Sequence, residues 1–139
     1  MNRIKLPPRL ALAASFVRKG SRLADIGTDH AFLPVRLIQE GVISSAIAAD
    51  VVPGPLERAK STVSRYGLTK VIDCRLSDGF AAIRPEEFDD GVVCGMGGLT
   101  ILDILKAAHP FLPHQRLILQ PQTDIHLVRR WLYENGYEL

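Results

Sequence analysis

The chain has 139 residues, 47% of them hydrophobic and 23% charged, and it carries a formal net charge of +2. This length and composition predict one folded domain over residues 1–139 and exclude a disordered chain. No segment reaches the ~18 consecutive apolar residues of a membrane span, and no signal peptide is evident, so we expect a cytoplasmic protein with no membrane partner.

The first part of the chain predicts a helix, a strand and a second helix. Apolar residues recur at three and four positions across residues 6–17, which is the period of an amphipathic helix. Residues 21–26 form a predicted strand, and Gly27 opens a polar turn after it. Pro34 requires the next helix to begin near Phe32 or Leu33, because proline is tolerated only in the first helical turn.

The remaining elements alternate in the same way. Strands are predicted at 45–50, 71–76, 88–94 and 116–119, and helices at 56–66, 99–108 and 124–135, with Asp124 as the N-cap of the last helix. This alternation predicts an α/β fold with a doubly wound, mostly parallel sheet. A sixth strand could begin at residues 136–139, so we expect the sheet to be truncated before its last strands, as in a domain of a longer protein.

Carboxylates stand at or just beyond the ends of the first three predicted strands: Asp25, Asp29, Asp50 and Asp78. Asp50 follows Asp25 by 25 residues, close to the spacing at which an acidic residue after the second strand binds a ribose diol. The same arrangement serves NAD, FAD and S-adenosylmethionine. The carboxylates therefore predict the class of ligand and not the reaction.

The first turn favours one of these ligands. A pyrophosphate prefers the spacing GxGxxG, whereas this turn has one glycine, Gly27, followed by Thr28, Asp29 and His30. A carboxylate in the turn would repel a phosphate and attract a sulfonium or an amino group. We therefore expect S-adenosylmethionine rather than a dinucleotide.

Five segments carry a resemblance to a known family: ADIGTDHAFLP, AADVVPGPLERAK, SDGF, CGMGG and LILQPQ. Through them the sequence resembles the bacterial tRNA (adenine-N1)-methyltransferases that modify position 22 of tRNA. The resemblance implies a Rossmann-like class I methyltransferase domain that lacks the family's C-terminal helical part, with S-adenosyl-L-methionine as cofactor and tRNA as partner. The cofactor-binding residues that it implies are Asp25, Gly27, Thr28, Asp50, Val51, Asp78, Gly79, Gly95 and Met96.

The predicted chemistry is consistent with this resemblance. Adenine N1 has an in-plane lone pair, so positioning and a nearby negative charge could suffice for methyl transfer. The glycines of residues 95–98 would leave room for a flipped base, although they could instead only start a helix close to the sheet. We interpret Asp29 and His30 as catalytic. The alternatives are that Asp29 caps the following helix or binds the amino group of the cofactor, and that His30 only stabilises the turn.

Other features leave alternatives open. Six cations precede the first acidic residue and form either a solvated face or a surface that binds a polyanion: Arg3, Lys5, Arg9, Arg18, Lys19 and Arg22. Cys74 and Cys94 are expected to be buried free thiols, and no metal site is expected because no ligand spacing fits one. The rival functions are a nicotinamide- or flavin-dependent oxidoreductase and a non-catalytic nucleotide-fold binding module.

Overall fold

A parallel sheet of five strands forms the centre of the computed structural model, which describes residues 2–139. The strands are β1 (Leu23–Ile26), β2 (Ala46–Asp50), β3 (Ile72–Leu76), β4 (Asp90–Met96) and β5 (Arg116–Pro121). Their order across the sheet is β3-β2-β1-β4-β5, and all neighbouring pairs are parallel. The predicted fold class is therefore confirmed.

Five helices cover both faces of this sheet: α1 (Pro8–Ser15), α2 (Phe32–Gln39), α3 (Pro53–Arg65), α4 (Gly98–Ala108) and α5 (Ile125–Glu134). The helices α1, α2 and α3 pack on one face, and α4 and α5 pack on the other. Side chains alternate along β2, where Ala48 belongs to the first core and Ala49 to the second. Burial on both faces explains why the central strands β1, β2 and β4 are mostly short apolar runs.

Most element boundaries differ from the prediction by one to three residues, and two of the differences lie at the carboxyl edge of the sheet. Helix α3 begins at Pro53, three residues before the predicted start, because prolines fit the first turn, where N–H groups lack helical partners. Strand β4 continues past Gly95 to Met96 through an irregularity in its pairing with β5. A short 3₁₀ helix at Pro85–Glu87 was not predicted.

The C-terminal elements also required correction. Asp124 occupies the N-cap position of α5 as predicted, but its backbone φ is +51° and its side chain makes no capping hydrogen bond. Residues 136–139 form no sixth strand. The amide of Tyr137 instead donates to the Leu132 carbonyl of α5.

Two of the six N-terminal cations have structural partners. Arg18 donates to the fully buried Asp90 carboxylate from its backbone N–H at 2.7 Å and from its guanidinium at 2.6 and 2.8 Å. Arg22 forms a second ion pair with Asp89 at 3.0 Å. These two cations attach the chain before β1 to the start of β4, while both side chains remain partly exposed.

Candidate functional site

The candidate site lies at the carboxyl ends of the strands around β1. Strand β1 pairs with β2 on one side and with β4 on the other, so the connections leave β1 and β4 in opposite directions along the sheet. In open α/β sheets a crevice forms at such a point, and ligands bind there. The turns after β1, β2, β3 and β4 all reach this edge.

The turn between β1 and α2 is held tightly against β2. The backbone N–H groups of Gly27 and Thr28 both donate to the Ala49 carbonyl at 2.9 Å. Gly27, Asp29 and Ala31 adopt φ values of +72°, +55° and +59°. Three left-handed residues within five positions make a sharp turn, which brings the start of α2 to the crevice.

Asp50 joins this turn to the end of β2. Its carboxylate is buried and accepts hydrogen bonds from the backbone N–H of Asp29 at 3.2 Å and of Val52 at 3.1 Å. A carboxylate has about four acceptor positions, so these two bonds fix its orientation and leave capacity for a ligand. The prediction that Asp50 faces the crevice is consistent with this geometry.

Asp25 lies beneath the same turn and is only 5% exposed. Thr28 Oγ1 donates to its carboxylate at 2.8 Å. Burial raises the pKa of Asp25 to about 7, the negative charge of Asp50 adds to the rise, and the Thr28 hydrogen bond opposes it. Near neutral pH this group is therefore present in both its protonated and its ionised form.

Asp29 has a partner that sequence reasoning missed. The Arg58 guanidinium of α3 donates to Asp29 Oδ1 at 2.8 Å, and both side chains are about half exposed. His30 Nε2 lies 3.8 Å from Asp29 Oδ2, and the His30 ring stacks on Phe32 at 4.8 Å. The N-cap of α2 is Ala31, without any side-chain bond, so the alternative that Asp29 caps the helix is wrong.

The turn after β3 holds Asp78 at the same edge. Ser77 fixes the turn because its N–H donates to the Asp50 carbonyl at 2.9 Å and its hydroxyl donates to the Gly79 carbonyl at 2.8 Å. Gly79 has φ +57°, and a Cβ there would lie 3.1 Å from Ile104 of α4. Asp78 is left exposed, with its backbone anchored on both sides.

Three glycines at the end of β4 have different roles. Gly95 has φ +77°, and a Cβ on it would lie 3.1 Å from Arg9 Nη1. Gly97 and Gly98 contact Thr123, whose hydroxyl accepts the Gly98 N–H at 3.2 Å, and a Cβ on Gly98 would clash with the Thr123 carbonyl. Gly98 therefore serves close packing of α4, as the alternative interpretation held, whereas Gly95 lies beside the Arg9 side chain of α1.

Met96 and Gly27 are in direct contact across the crevice. A Cβ on Gly27 would clash with Met96 Cε. The two predicted residues thus come from the turns after β1 and β4 and meet where the sheet changes direction.

Exposed apolar side chains surround the carboxylates at this edge: Val51, Val52, Leu76 and Leu99. Only Val51 was predicted. Leu76 is the last residue of β3 and is 55% exposed. The rule that strand ends line the crevice could have identified it, because Asp78 was predicted to lie there for the same reason.

Neither cysteine is fully buried, contrary to the prediction. Both are free and partly exposed. Burial raises the pKa of the Cys94 thiol to about 12, with a further contribution from Asp25 and an opposing one from Arg9. Among residues 2–139 no cluster of side chains could hold a metal ion, and no helix in that range is long and apolar enough to cross a membrane.

Comparisons with known proteins point to one class of enzyme. The profile of the family described as "Methyltransferase domain" matches residues 6–139. The tRNA (adenine(22)-N(1))-methyltransferase of Bacillus subtilis (strain 168) is 40% identical over 140 residues, which is 100% of this chain and 59% of that protein.

Two solved structures are similar over nearly the whole chain. A Streptococcus pneumoniae protein described as a tRNA (m1A22) methyltransferase, in complex with S-adenosyl-L-methionine, superposes with a TM-score of 0.91 at 41% identity, covering 95% of this chain and 63% of that one. An M. capricolum protein in complex with S-adenosyl-homocysteine gives a TM-score of 0.84 at 34% identity, covering 93% and 57%. The chain thus spans about three fifths of the length of these relatives.

Proposed function

This chain belongs to the methyltransferase domain family, and we propose that it binds S-adenosyl-L-methionine and methylates N1 of an adenine in tRNA, at position 22. The observation that carries the proposal is the oriented carboxylate of Asp50 beside the Gly27 turn, in a chain 40% identical to a tRNA (adenine(22)-N(1))-methyltransferase. A tRNA substrate implies that the protein acts in the cytoplasm.

The residues at the crevice fit the adenosine part of this cofactor. Asp50 has acceptor capacity for the two ribose hydroxyls because only two backbone N–H groups use it. Val51 and Leu76 offer exposed apolar surface to the faces of the adenine ring, and Asp78 offers an acceptor to its amino group. The anchored turn at Gly79 holds this last group in place.

The residues around β1 fit the methionine part of the cofactor. Gly27 and Thr28 bring the backbone to the crevice without a side chain at its centre, and Met96 lies over them with a flexible end that a ligand can displace. Asp25 lies below the turn and can ionise near neutral pH, and Gly95 has no side chain that would block the end of β4. The oxidoreductase alternative lacks such support, since the pyrophosphate of a dinucleotide would meet Asp29 and a single glycine.

The acceptor base would enter between the Asp29 turn and Gly95. When bound, S-adenosyl-L-methionine supplies an electrophilic methyl group. Asp29 would stabilise the positive charge that develops on the adenine ring, and His30, held flat against Phe32, would bind the edge of the base. The ion pair with Arg58 orients Asp29 while leaving its carboxylate about half exposed.

Calorimetric titration with S-adenosyl-L-methionine tests the cofactor site. We expect Asp50→Ala to weaken binding by about 10-fold or more, because charge-assisted hydrogen bonds to the ribose are lost. Asp103→Asn is the matched control, since Asp103 is an exposed carboxylate on α4. Equal affinities for the wild type and the Asp50 variant would contradict the proposed role, and binding of NADH in place of the cofactor would favour an oxidoreductase.

Nucleoside mass spectrometry of tRNA incubated with the full-length protein tests the reaction. We expect 1-methyladenosine among the nucleosides, and mass spectrometry of ribonuclease fragments of the same tRNA should place it at position 22. Cofactor binding without methylation of any tRNA would favour a non-catalytic binding module.

Single-turnover kinetics at saturating cofactor and tRNA test the catalytic residue. We expect Asp29→Asn to lower the rate on the order of 100-fold and Arg58→Gln to lower it less than about 10-fold, because Arg58→Gln keeps the carboxylate. The melting temperature should change little, since an exposed ion pair contributes about 0–1 kcal/mol. Equal losses in both variants would mean that Asp29 acts only through its ion pair, and a loss of cofactor affinity alone would make it a binding residue.

A further inference from the structure

Arg9 is held at the carboxyl edge of the sheet by the way α1 is attached. Gln120 Nε2 in β5 donates to the Arg9 carbonyl at 3.1 Å, in the first turn of α1. At the other end of the helix, Arg116 Nη1 donates to the Phe16 carbonyl at 3.0 Å. The helix therefore runs antiparallel to β4 and β5, and its first turn stands beside the candidate site.

The Arg9 side chain occupies the space that Gly95 leaves open. Its Nη1 lies 3.1 Å from the place where a Cβ on Gly95 would stand. Its charge also reaches the neighbouring thiol, because it opposes the rise in the pKa of Cys94 that Asp25 promotes. A cation thus lies at the end of β4, on the opposite side of β1 from Asp50.

Arg9 differs from the other N-terminal cations because it lies at the carboxyl edge of the sheet and has no carboxylate partner among the described residues. Within residues 2–139 it makes no ion pair, and it is exposed. Arg18 and Arg22 are paired, whereas Arg3 and Lys5 flank Ile4, whose N–H is bound by Gln39 at the far end of α2. Lys19 lies just before β1, at the amino edge.

The charge and the distance together identify a ligand group. Asp50, which would hold the ribose, lies at the end of β2. The distance from β2 across β1 to β4 is two strand spacings, or about 10 Å. The amino-acid end of S-adenosyl-L-methionine extends from the ribose over a comparable length and terminates in a carboxylate. Resting on the proposed function, we propose that the Arg9 guanidinium binds this α-carboxylate, with the open Gly95 giving it access.

A titration with two ligands isolates this contact without measuring activity. S-adenosyl-L-methionine and its decarboxylated analogue differ by the carboxylate alone, so we would measure both dissociation constants for the wild type and for Arg9→Gln. We expect the wild type to bind the analogue about 10- to 100-fold more weakly, and Arg9→Gln to bind both ligands with similar affinity. Arg9→Lys should recover part of the difference, because it keeps the charge and loses the fork of donors.

Lys19→Gln is the matched control, since it removes an exposed cation from the same segment at the opposite edge, and it should behave as the wild type. A wild type that binds neither ligand would overturn the proposed function itself. A wild type that binds both equally, or an Arg9→Gln variant that weakens both by the same factor, would overturn only the carboxylate contact. If Arg9→Gln instead lowered the salt dependence of tRNA binding while S-adenosyl-L-methionine affinity stayed unchanged, the arginine would bind an RNA phosphate and the proposal would be wrong.

Discussion

Replacing Asp25 by asparagine should change how stability depends on pH. The folded protein raises the pKa of this carboxyl from 3.8 to about 7, mainly by burial. When the pKa of an acidic group is higher in the folded state than in the unfolded state, the free energy of unfolding falls as the pH rises from the unfolded-state pKa to the folded-state pKa. At ~1.36 kcal/mol per pKa unit, the full cost of ionised Asp25 is about 4 kcal/mol, and about 2.5 kcal/mol of it develops between pH 5 and pH 8.

Urea denaturation of the wild type and Asp25→Asn at pH 5, 6, 7 and 8 measures this cost. We expect the free energy of unfolding of the wild type to fall by about 2.5 kcal/mol relative to the variant between pH 5 and pH 8. Arginine partners lower the pKa values of Glu87 and Asp89. The stability that these two carboxylates contribute is therefore lost only at acidic pH, and it is the same in the wild type and the variant. A new amide at position 25 adds a constant offset that does not depend on pH. Parallel curves across this range would refute the reasoning.

Three further predictions follow from the same geometry. Gly27→Ala should lower the free energy of unfolding by about 1–2 kcal/mol because its φ is +72°, whereas Gly54→Ala in the open first turn of α3 should not lower it; equal stabilities of the two variants in urea would contradict this. Asp90→Ala should cost about 3–5 kcal/mol by leaving Arg18 without its buried partner, and a loss below about 1 kcal/mol would show that the pair contributes little. A cationic methyl donor should release protons from Asp25 near pH 7, so calorimetric enthalpies should differ between phosphate and Tris buffers, and identical enthalpies would argue against a titrating Asp25.

Periodicity and strand-end rules predicted most of the fold. The helix start at Phe32 followed from Pro34 alone, because the constraint that proline imposes is local. The start of α3 was placed too late because Pro53 and Gly54 are equally common in turns, and only packing against β2 and β3 selects the helix. Parallel strands alone were enough to predict that Asp25, Asp50 and Asp78 lie on one edge of the sheet, because the carboxyl ends of parallel strands meet there.

The site itself was less predictable where it depends on contacts between distant segments. The pairing of Asp29 with Arg58, 29 residues away, has no local signal. The same holds for Arg9, which the sequence does not distinguish from the other five N-terminal cations, whereas the attachment of α1 places it at the carboxyl edge and Arg18 at the start of β4. Sequence patterns identify residues that share an edge, but they do not identify which charges neutralise each other across it.

The attachment of α1 has a consequence for how the protein is made. The hydrogen bond between Arg9 and Gln120 joins residues 111 apart, and the contacts of Arg18 with His114 and Asp90 join residues 96 and 72 apart. A chain emerging from the ribosome can therefore pack its first helix on α2 and β4 first, but it cannot complete the attachment of that helix until β5 has been synthesised. The half of the crevice that Arg9 borders is therefore completed last, after the turns that carry Asp50 and Asp78 have been synthesised.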